Sequence, residues 1–181
     1  MNYCKKTLVA LLSLIVINGY IQAQDAVTYQ LPPKDMADLL LAKPTPAVSI
    51  DGKAEWMLLS ERNSYPSVEE LAMPELRIAG LRMNPNNYAL SRQIYINNFT
   101  LKNIKENKSF SIAGLPTVLL ASNVSWSPSD SKIAFTQTNQ KGIDLYIIDV
   151  ATKKASKINK MPVNAILGSS YTWLDDNTIL Y

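Results

Sequence analysis

The feature that most constrains this chain is an internal repeat with a period of about 46 residues. The segment from Asn98 to Ile112 aligns without a gap with the segment from Asp144 to Ile158. Trp126 in VSWSPSDSKIAF recurs as Trp173 in YTWLDDNTILY. Repeats of about 40 to 50 residues with several short strands each are typical of β-propeller blades. The sequence therefore predicts an all-β fold, an incomplete β-propeller of about two blades and the start of a third, within residues 48–181.

The clearest predicted blade covers residues 122–159 and consists of four antiparallel strands separated by turns. The strands are predicted at 123–126, 132–138, 143–150 and 155–159. In the third strand, Leu145 and Ile147 lie on one face, whereas Tyr146, Ile148 and Val150 lie on the other. A strand that is apolar on both faces is expected to be covered on both sides. We therefore expect neighbouring blades to pack against this one face to face.

The preceding blade, residues 48–112, is the same unit with an insertion at about 60–97. Its first strand and turn, VSIDGK, align with VSWSPS of the next blade, and its last two strands are the 98–112 copy. The alignment places about 30 extra residues between its second and third strands. Ser67 and Glu70 have the spacing of a capping box, which predicts a short helix, and residues 76–83 are predicted to form a strand or a buried connector.

Four arginines belong to the insertion or flank it: Arg62, Arg77, Arg82 and Arg92. One interpretation is that they form ion pairs with nearby Asp and Glu side chains. The other is that they contact a substrate, because insertions on one rim of a propeller are frequent sites of ligand binding. The sequence favours ion pairs and leaves the role of these arginines open.

The first 23 residues have the pattern of a cleaved export signal. Lys5 and Lys6 precede an apolar run, and Ile21 and Ala23 stand at the two positions that a signal peptidase inspects. A transmembrane anchor is the alternative, but the apolar run is shorter than the roughly 20 residues needed to span a bilayer. We expect cleavage after Ala23, a lead-in segment at 24–47, and a protein without a membrane segment after cleavage, in the periplasm or outside the cell.

Removal of this segment takes away the single cysteine and two lysines, so the net charge falls from +3 to +1. This near balance argues against a nucleic-acid partner, which requires a concentrated basic surface. The last predicted blade begins at 171 and its second strand is still in progress at Tyr181. We therefore expect either the front part of a longer protein or a degenerate product without function.

The sequence predicts no catalytic, cofactor-binding or metal-ligating residue. The chain contains no histidine, which removes Ser-His-Asp and Cys-His systems and histidine metal sites. Its six glycines stand singly, so there is no glycine-rich phosphate loop. Gly168-Ser169-Ser170-Tyr171 lacks the second glycine of a nucleophile elbow and is interpreted as a turn. The acidic pairs Glu69/Glu70 and Asp175/Asp176 are interpreted as solvated cap and turn residues.

Two sets of motifs resemble known propeller proteins. VSWSPSDSKIAFTQT followed by GIDLYIIDVATKK is similar to blades of Tol-type translocation propellers and of prolyl oligopeptidase-like serine peptidases. YQLPPKDMADLLLAKPTPAVSIDGK, MLLSERNSYPSVEELAMPELRIAGLRMNP and NFTLKNIK resemble the start of exported bacterial prolyl oligopeptidase-family peptidases related to plant chloroplast glutamyl endopeptidase. The resemblance covers nearly all of residues 29–181. One departure is Ser49-Ile50-Asp51-Gly52, where the family usually has Ser-Pro-Asp-Gly.

The resemblance implies a propeller that gates the access of peptides to a C-terminal α/β-hydrolase domain in the same protein. In that family a Ser-Asp-His triad in the hydrolase domain cleaves peptide bonds, and none of its residues has a counterpart within this chain. The expected partners are therefore peptide substrates and that domain, without a cofactor. The alternative is a non-enzymatic periplasmic scaffold of the Tol type.

Overall fold

The computed structural model describes residues 32–181. The predicted signal peptide at 1–23 and residues 24–31 of the lead-in segment lie outside the described residues. The chain divides into two compact units, Met1–Leu39 and Leu40–Tyr181. A helix at Lys34–Leu41, which the sequence analysis did not predict, spans this division and is described by itself. It follows two prolines, and the N–H of Ala37 donates to the carbonyl of Pro33 at its first turn.

Short β-strands dominate the second unit. The elements of the chain in order are α1 (Lys34–Leu41), β1 (Ala47–Ile50), β2 (Trp56–Glu61), α2 (Val68–Leu71), β3 (Leu76–Ile78), β4 (Leu81–Met83), β5 (Asn98–Asn103), β6 (Lys108–Ser111), β7 (Ala121–Trp126), β8 (Lys132–Thr138), β9 (Ile143–Asp149), β10 (Lys154–Lys157), β11 (Thr172–Trp173) and β12 (Ile179–Leu180). This composition confirms the predicted all-β class.

The strands form two four-stranded antiparallel sheets and two short hairpins. Sheet 1 has the order β1-β2-β5-β6, and sheet 2 has the order β7-β8-β9-β10. The hairpin β3-β4 lies between the second and third strands of sheet 1, where the repeat alignment places the insertion. The hairpin β11-β12 follows sheet 2. The two sheets therefore share one strand order, and the insertion interrupts the first.

Sheet 2 is covered on both faces, as its third strand predicts. On one face, Ile148 and Val150 belong to a buried cluster with Leu58, Phe99 and Leu101 of sheet 1. The rings of Phe99 and Phe135 meet across the two sheets with their centroids 5.1 Å apart. On the other face, Leu145 and Ala134 pack with Tyr171, Trp173 and Ile179 around the β11-β12 hairpin. Sheet 2 is thus sandwiched between sheet 1 and the hairpin.

Polar links between neighbouring elements recur along the chain. The indole Nε1 of Trp126 donates to Ser49 Oγ on sheet 1 at 2.9 Å, and the indole Nε1 of Trp173 donates to Ser125 Oγ on sheet 2 at 3.1 Å. Ser49 and Ser125 are equivalent positions in the sequence repeat. Both indoles are half-buried against the two clusters, so each combines apolar packing with a specific hydrogen bond.

Turns at one end of the sheets are linked in the same way. The backbone N–H of Gly52, after β1, donates to Asp130 Oδ2 in the β7-β8 turn at 3.0 Å. The backbone N–H of Ser129 in that turn donates to Asp176 Oδ1 in the β11-β12 turn at 2.9 Å. Each turn therefore contacts the corresponding turn of the next element.

A close backbone approach joins the end of sheet 1 to the outer strand of sheet 2. The N–H of Ala113 donates to Lys153, and the N–H of Ala155 donates back to Ala113. Gly114 follows with φ of 77°, and a Cβ there would lie 2.5 Å from the carbonyl oxygen of Ala155. The position requires glycine both for its left-handed backbone and for this contact.

Two local features differ from the sequence expectation. Residues 76–83 form a hairpin that is mostly exposed, with Met83 buried at its end, so the alternative of a buried connector is wrong. Ala79 and Gly80 both have positive φ, which suits a tight two-residue turn and matches strand twist. Strand β7 begins at Ala121 rather than 123, and its register shifts between Ser122 and Ser125, with Asn123 at φ of 49°. This bulge was not evident from the alternation of side chains.

We expect Phe135→Ala to lower the free energy of unfolding by about 3–5 kcal/mol, because it leaves a cavity between the two sheets. Phe135 is fully buried. The matched control is Phe110→Ala, which removes a half-buried ring at the edge of sheet 1 and should cost less than half as much. Urea denaturation followed by tryptophan fluorescence measures both. Equal losses for the two variants would contradict the packing described above.

Candidate binding site

The insertion encloses a cavity of about 580 Å³. This volume lies within the range of small-molecule and peptide subsites, about 300–1,000 Å³. The cavity is lined by residues that follow β2, by α2 and its flanks, and by the segment from the β4 end to β5. Leu120, just before sheet 2, also contributes to the lining. The site is therefore built mainly by residues that the repeat alignment assigns to the insertion.

A capping box fixes the short helix α2 at one side of the cavity. The side chain of Ser67 accepts a hydrogen bond from the N–H of Glu70 at 3.1 Å. The Glu70 carboxylate in turn accepts from the N–H of Ser67 at 2.6 Å. This reciprocal pair confirms the predicted capping box and satisfies two backbone donors at the helix start. Glu70 lines the cavity with its carboxylate already engaged.

Asparagine side chains hold the loop between β4 and β5. The N–H of Asn86 donates to Asn84 Oδ1 at 2.9 Å, and the N–H of Ala89 donates to Asn87 Oδ1 at 3.0 Å. The amide of Asn87 also donates to the carbonyl of Asn139 in the β8-β9 turn at 2.9 Å. Asn84, Asn87 and Ala89 are buried. The loop is thus anchored to sheet 2 at the base of the cavity.

A single carboxylate, Glu75, gathers three of the four arginines of the insertion. Glu75 Oε1 lies 2.9 Å from Arg77 Nε and 3.2 Å from an Nη atom of Arg82. Glu75 Oε2 lies 3.3 Å from Arg92 Nε and accepts from Ser91 Oγ at 3.0 Å. The Glu75 side chain is 14% exposed. The ion-pair interpretation of Arg77, Arg82 and Arg92 is therefore correct.

The environment of Glu75 favours its charged form. The hydrogen bond from Arg77 is the main cause that lowers the pKa of Glu75, and Ser91 and the charges of Arg92 and Arg82 act in the same direction against partial burial. Burial, helped by the charge of Glu70, raises the pKa of Tyr95, which also lines the cavity. At neutral pH the cavity thus has an ionised Glu75 and an uncharged Tyr95 hydroxyl.

Arg62 differs from the other three arginines. It follows the last residue of β2, is exposed and lines the cavity. Within residues 32–181 it makes no ion pair and no side-chain hydrogen bond. Its neighbour Glu61 is engaged by Lys43 at 3.7 Å and by the amide of Asn98 at 3.0 Å. The ion-pair interpretation does not account for Arg62.

The two acidic pairs and the Gly168–Tyr171 segment lie in turns, at a helix start or in a loop, as the sequence predicts. Asp176 accepts from the N–H of Ser129, and Asp175 accepts from the N–H of Asn177 at 2.7 Å. These backbone hydrogen bonds are the main reason why the pKa values of both carboxylates are lowered. Glu69 is exposed. Gly168 to Tyr171 lies in a loop before β11, with Gly168 at φ of 74°.

The described part of the chain offers few other features of chemical interest. Residues 32–181 contain no group of three or more His, Cys, Asp or Glu side chains that could hold a metal ion. None of the helices among these residues is both long and apolar enough to cross a membrane. The cavity in the insertion is therefore the candidate binding site.

Comparison with known proteins places this all-β chain among relatives of peptidases. It is similar to a protein of Oryza sativa subsp. japonica named probable glutamyl endopeptidase, chloroplastic, with 27% identity over 165 residues. A protein of the same name from Arabidopsis thaliana is 27% identical over 164 residues. Both matches cover 84% of this chain, but 18% and 17% of the respective relatives. The chain is thus peptidase-related and spans less than a fifth of the length of these relatives.

Neither of the two other comparisons finds a match: no protein-family model matches the chain, and no solved structure does.

We expect Glu75→Gln to loosen the β3-β4 hairpin and the segment up to Arg92 at about neutral pH, because a neutral amide no longer balances three guanidinium groups. Protection factors from amide hydrogen exchange over residues 75–92 measure this. Since folding lowers the pKa of Glu75 below its ordinary value of 4.5, its stabilisation is complete above that pH and is lost as the pH falls through the lowered pKa.

The difference between the variant and the wild-type protein should therefore disappear at low pH. Glu69→Gln is the matched control, since Glu69 is an exposed acid of the same insertion. If both variants lose the same protection, the arginine cluster does not hold the hairpin.

Proposed function

We propose that this chain is the N-terminal propeller portion of an exported serine peptidase of the prolyl oligopeptidase family, similar to glutamyl endopeptidases. The observation that carries the proposal is the likeness to the two plant proteins over 84% of the chain. The repeated four-stranded sheets, packed face to face, support a propeller. Sheet 1 and sheet 2 are its first two blades under this proposal, and the β11-β12 hairpin begins the third.

The proposed role of this portion is to gate peptides rather than to cleave them. A Ser-Asp-His triad requires a histidine, and none of the 181 residues is one. The proposal therefore places the triad in a C-terminal α/β-hydrolase domain encoded beyond Tyr181. The propeller shields that active site and screens peptides by size. The competing function is a non-enzymatic periplasmic scaffold of the Tol type, because the blade motif VSWSPSDSKIAF is similar to both classes.

The nucleotide sequence beyond the codon for Tyr181 distinguishes the two functions. The peptidase proposal expects a Gly-x-Ser-x-Gly motif in a strand-turn-helix context, followed in chain order by an aspartate and a histidine. The scaffold expects further blade repeats without that motif.

A fluorophosphonate probe, which reacts with activated serines, tests the same point on the protein. We expect it to label the complete gene product and to leave the 181-residue chain unlabelled, because this chain has no histidine to activate a serine. In-gel fluorescence measures both. Absence of label on the complete product, with its activity towards peptides also absent, would contradict the peptidase proposal.

Export is part of the proposal and rests on residues 1–23. We expect N-terminal sequencing of the mature protein to begin at Gln24, after cleavage behind Ala23. Ala23→Arg should block cleavage, because signal peptidase accepts only small residues at the position before the cleavage site. Gln24→Ser is the control and should leave the cleavage site unchanged. A mature protein that still begins at Met1 would contradict the export signal.

A further inference from the structure

We propose that the cavity in the insertion binds the C-terminal carboxylate of a peptide, with Arg62 as its cationic contact. The choice of a peptide rests on the proposed peptidase function, whereas the choice of a carboxylate rests on the charges of the cavity. No catalytic role is assigned to Arg62.

The charge balance of the cavity favours an anion. Three arginines and two glutamates line it: Arg62, Arg77, Arg92, Glu70 and Glu75. A fourth, Arg82, contacts Glu75. The lining thus has three guanidinium groups against two carboxylates, an excess of one positive charge, and Arg82 adds a further positive charge beside Glu75. In a partly enclosed site such an excess attracts an anionic ligand more strongly than it would on an open surface.

Among the described residues, neither carboxylate of the cavity is paired with Arg62. Glu70 is occupied by the N–H of Ser67 in the capping box. Glu75 is occupied by three arginines and by Ser91. Arg62 has no ion pair within residues 32–181. A guanidinium group presents its donors as a planar fork that fits a carboxylate with two parallel hydrogen bonds.

Apolar side chains lie beside this positive charge. Tyr65, Leu71, Met73 and Ile94 line the cavity and are 57%, 64%, 38% and 69% exposed, respectively. Apolar surface of this kind, grouped at a cavity and bordered by charged groups, marks a ligand site more often than an ordinary surface. The expected ligand therefore combines a carboxylate with at least one apolar side chain next to it.

A peptide C-terminus supplies this combination. Its carboxylate is attached directly to the last residue, so the charge and an apolar side chain lie within one residue of each other. A peptidase meets such ends in every linear substrate and makes a new one at each hydrolysis. In that step water forms the new C–O bond, the C–N bond breaks and the amine takes the proton. The proposed site can therefore hold substrate ends or released products.

Binding of short peptides to the complete gene product tests the proposal, after a fluorophosphonate has blocked any active serine. The first probe is N-acetyl-leucyl-phenylalanine with a free carboxylate. The second is the same dipeptide as its C-terminal amide. The third is N-acetyl-leucyl-glutamyl-phenylalanine amide, which has a side-chain carboxylate only. Isothermal titration calorimetry measures the Kd of each probe.

We expect the free carboxylate to bind about 10- to 100-fold more tightly than the amide, as for a hydrogen-bonded charge pair. Arg62→Ala should weaken binding of the free-acid peptide by a similar factor and leave the Kd of the amide unchanged. Arg62→Lys should restore part of the affinity, because it keeps the charge without the fork. Lys105→Ala is the control, since Lys105 is an exposed cation that does not line the cavity.

Equal binding of the acid and the amide would overturn the proposal, as would unchanged binding by Arg62→Ala. Tight binding of the third peptide would overturn the assignment to a chain end, because its only carboxylate is a side chain. Absence of both fluorophosphonate labelling and activity towards peptides, with Arg62-dependent binding retained, would refute the peptidase function and leave the site standing. The two proposals can thus fail separately.

Discussion

The structure depends on a single strand that is apolar on both faces. Tyr146, Ile148 and Val150 point towards sheet 1, whereas Leu145 and Ile147 point towards the β11-β12 hairpin. A strand of this kind cannot leave either face in water without exposing a row of aliphatic side chains. β9 is therefore stable only when another apolar surface covers each of its faces. The order of the elements along the chain follows from this requirement, because the repeats before and after sheet 2 are the neighbours that cover it.

Hydrophobic packing alone does not fix how neighbouring repeats are aligned, and the recurring polar links supply that specificity. The pairs Trp126–Ser49 and Trp173–Ser125 join equivalent positions of successive repeats. If neighbouring repeats were misaligned, the indole N–H would lose its serine acceptor in a half-buried setting. An unsatisfied donor there would cost free energy, so the hydrogen bond favours one alignment of the repeats. In the first repeat Ile50 stands where the others have tryptophan, and it is half exposed. The link therefore runs from each repeat back to the one before it.

Much of the framework was predictable from sequence because it is encoded by alternation and by repetition. The bounds of β8, and those of β9 to within one residue, follow from their apolar pattern, and the place of the insertion follows from aligning the two copies. The arginine cluster was not predictable to the same degree. Glu75 lies two residues before Arg77 but 17 before Arg92, and these groups meet only once the hairpin and the following loop have folded. One signal was available, the Ala79-Gly80 pair between two short apolar segments, which is typical of a tight hairpin turn.

The repeated strand positions and the insertion have different roles in this chain. The repeated positions form sheets whose faces are covered by packing, so they offer little surface for a ligand. The insertion has no such obligation: it is tied to the frame through Asn87 and the backbone of Asn139, and through the paired backbones of Ile96 and Ala121. The four arginines of the insertion and its flank are exposed. Glu75 pairs with the other three guanidinium groups, and Arg62 stays apart from that cluster. Substitutions in the insertion can consequently alter what the cavity binds while the sheets that carry it keep their packing.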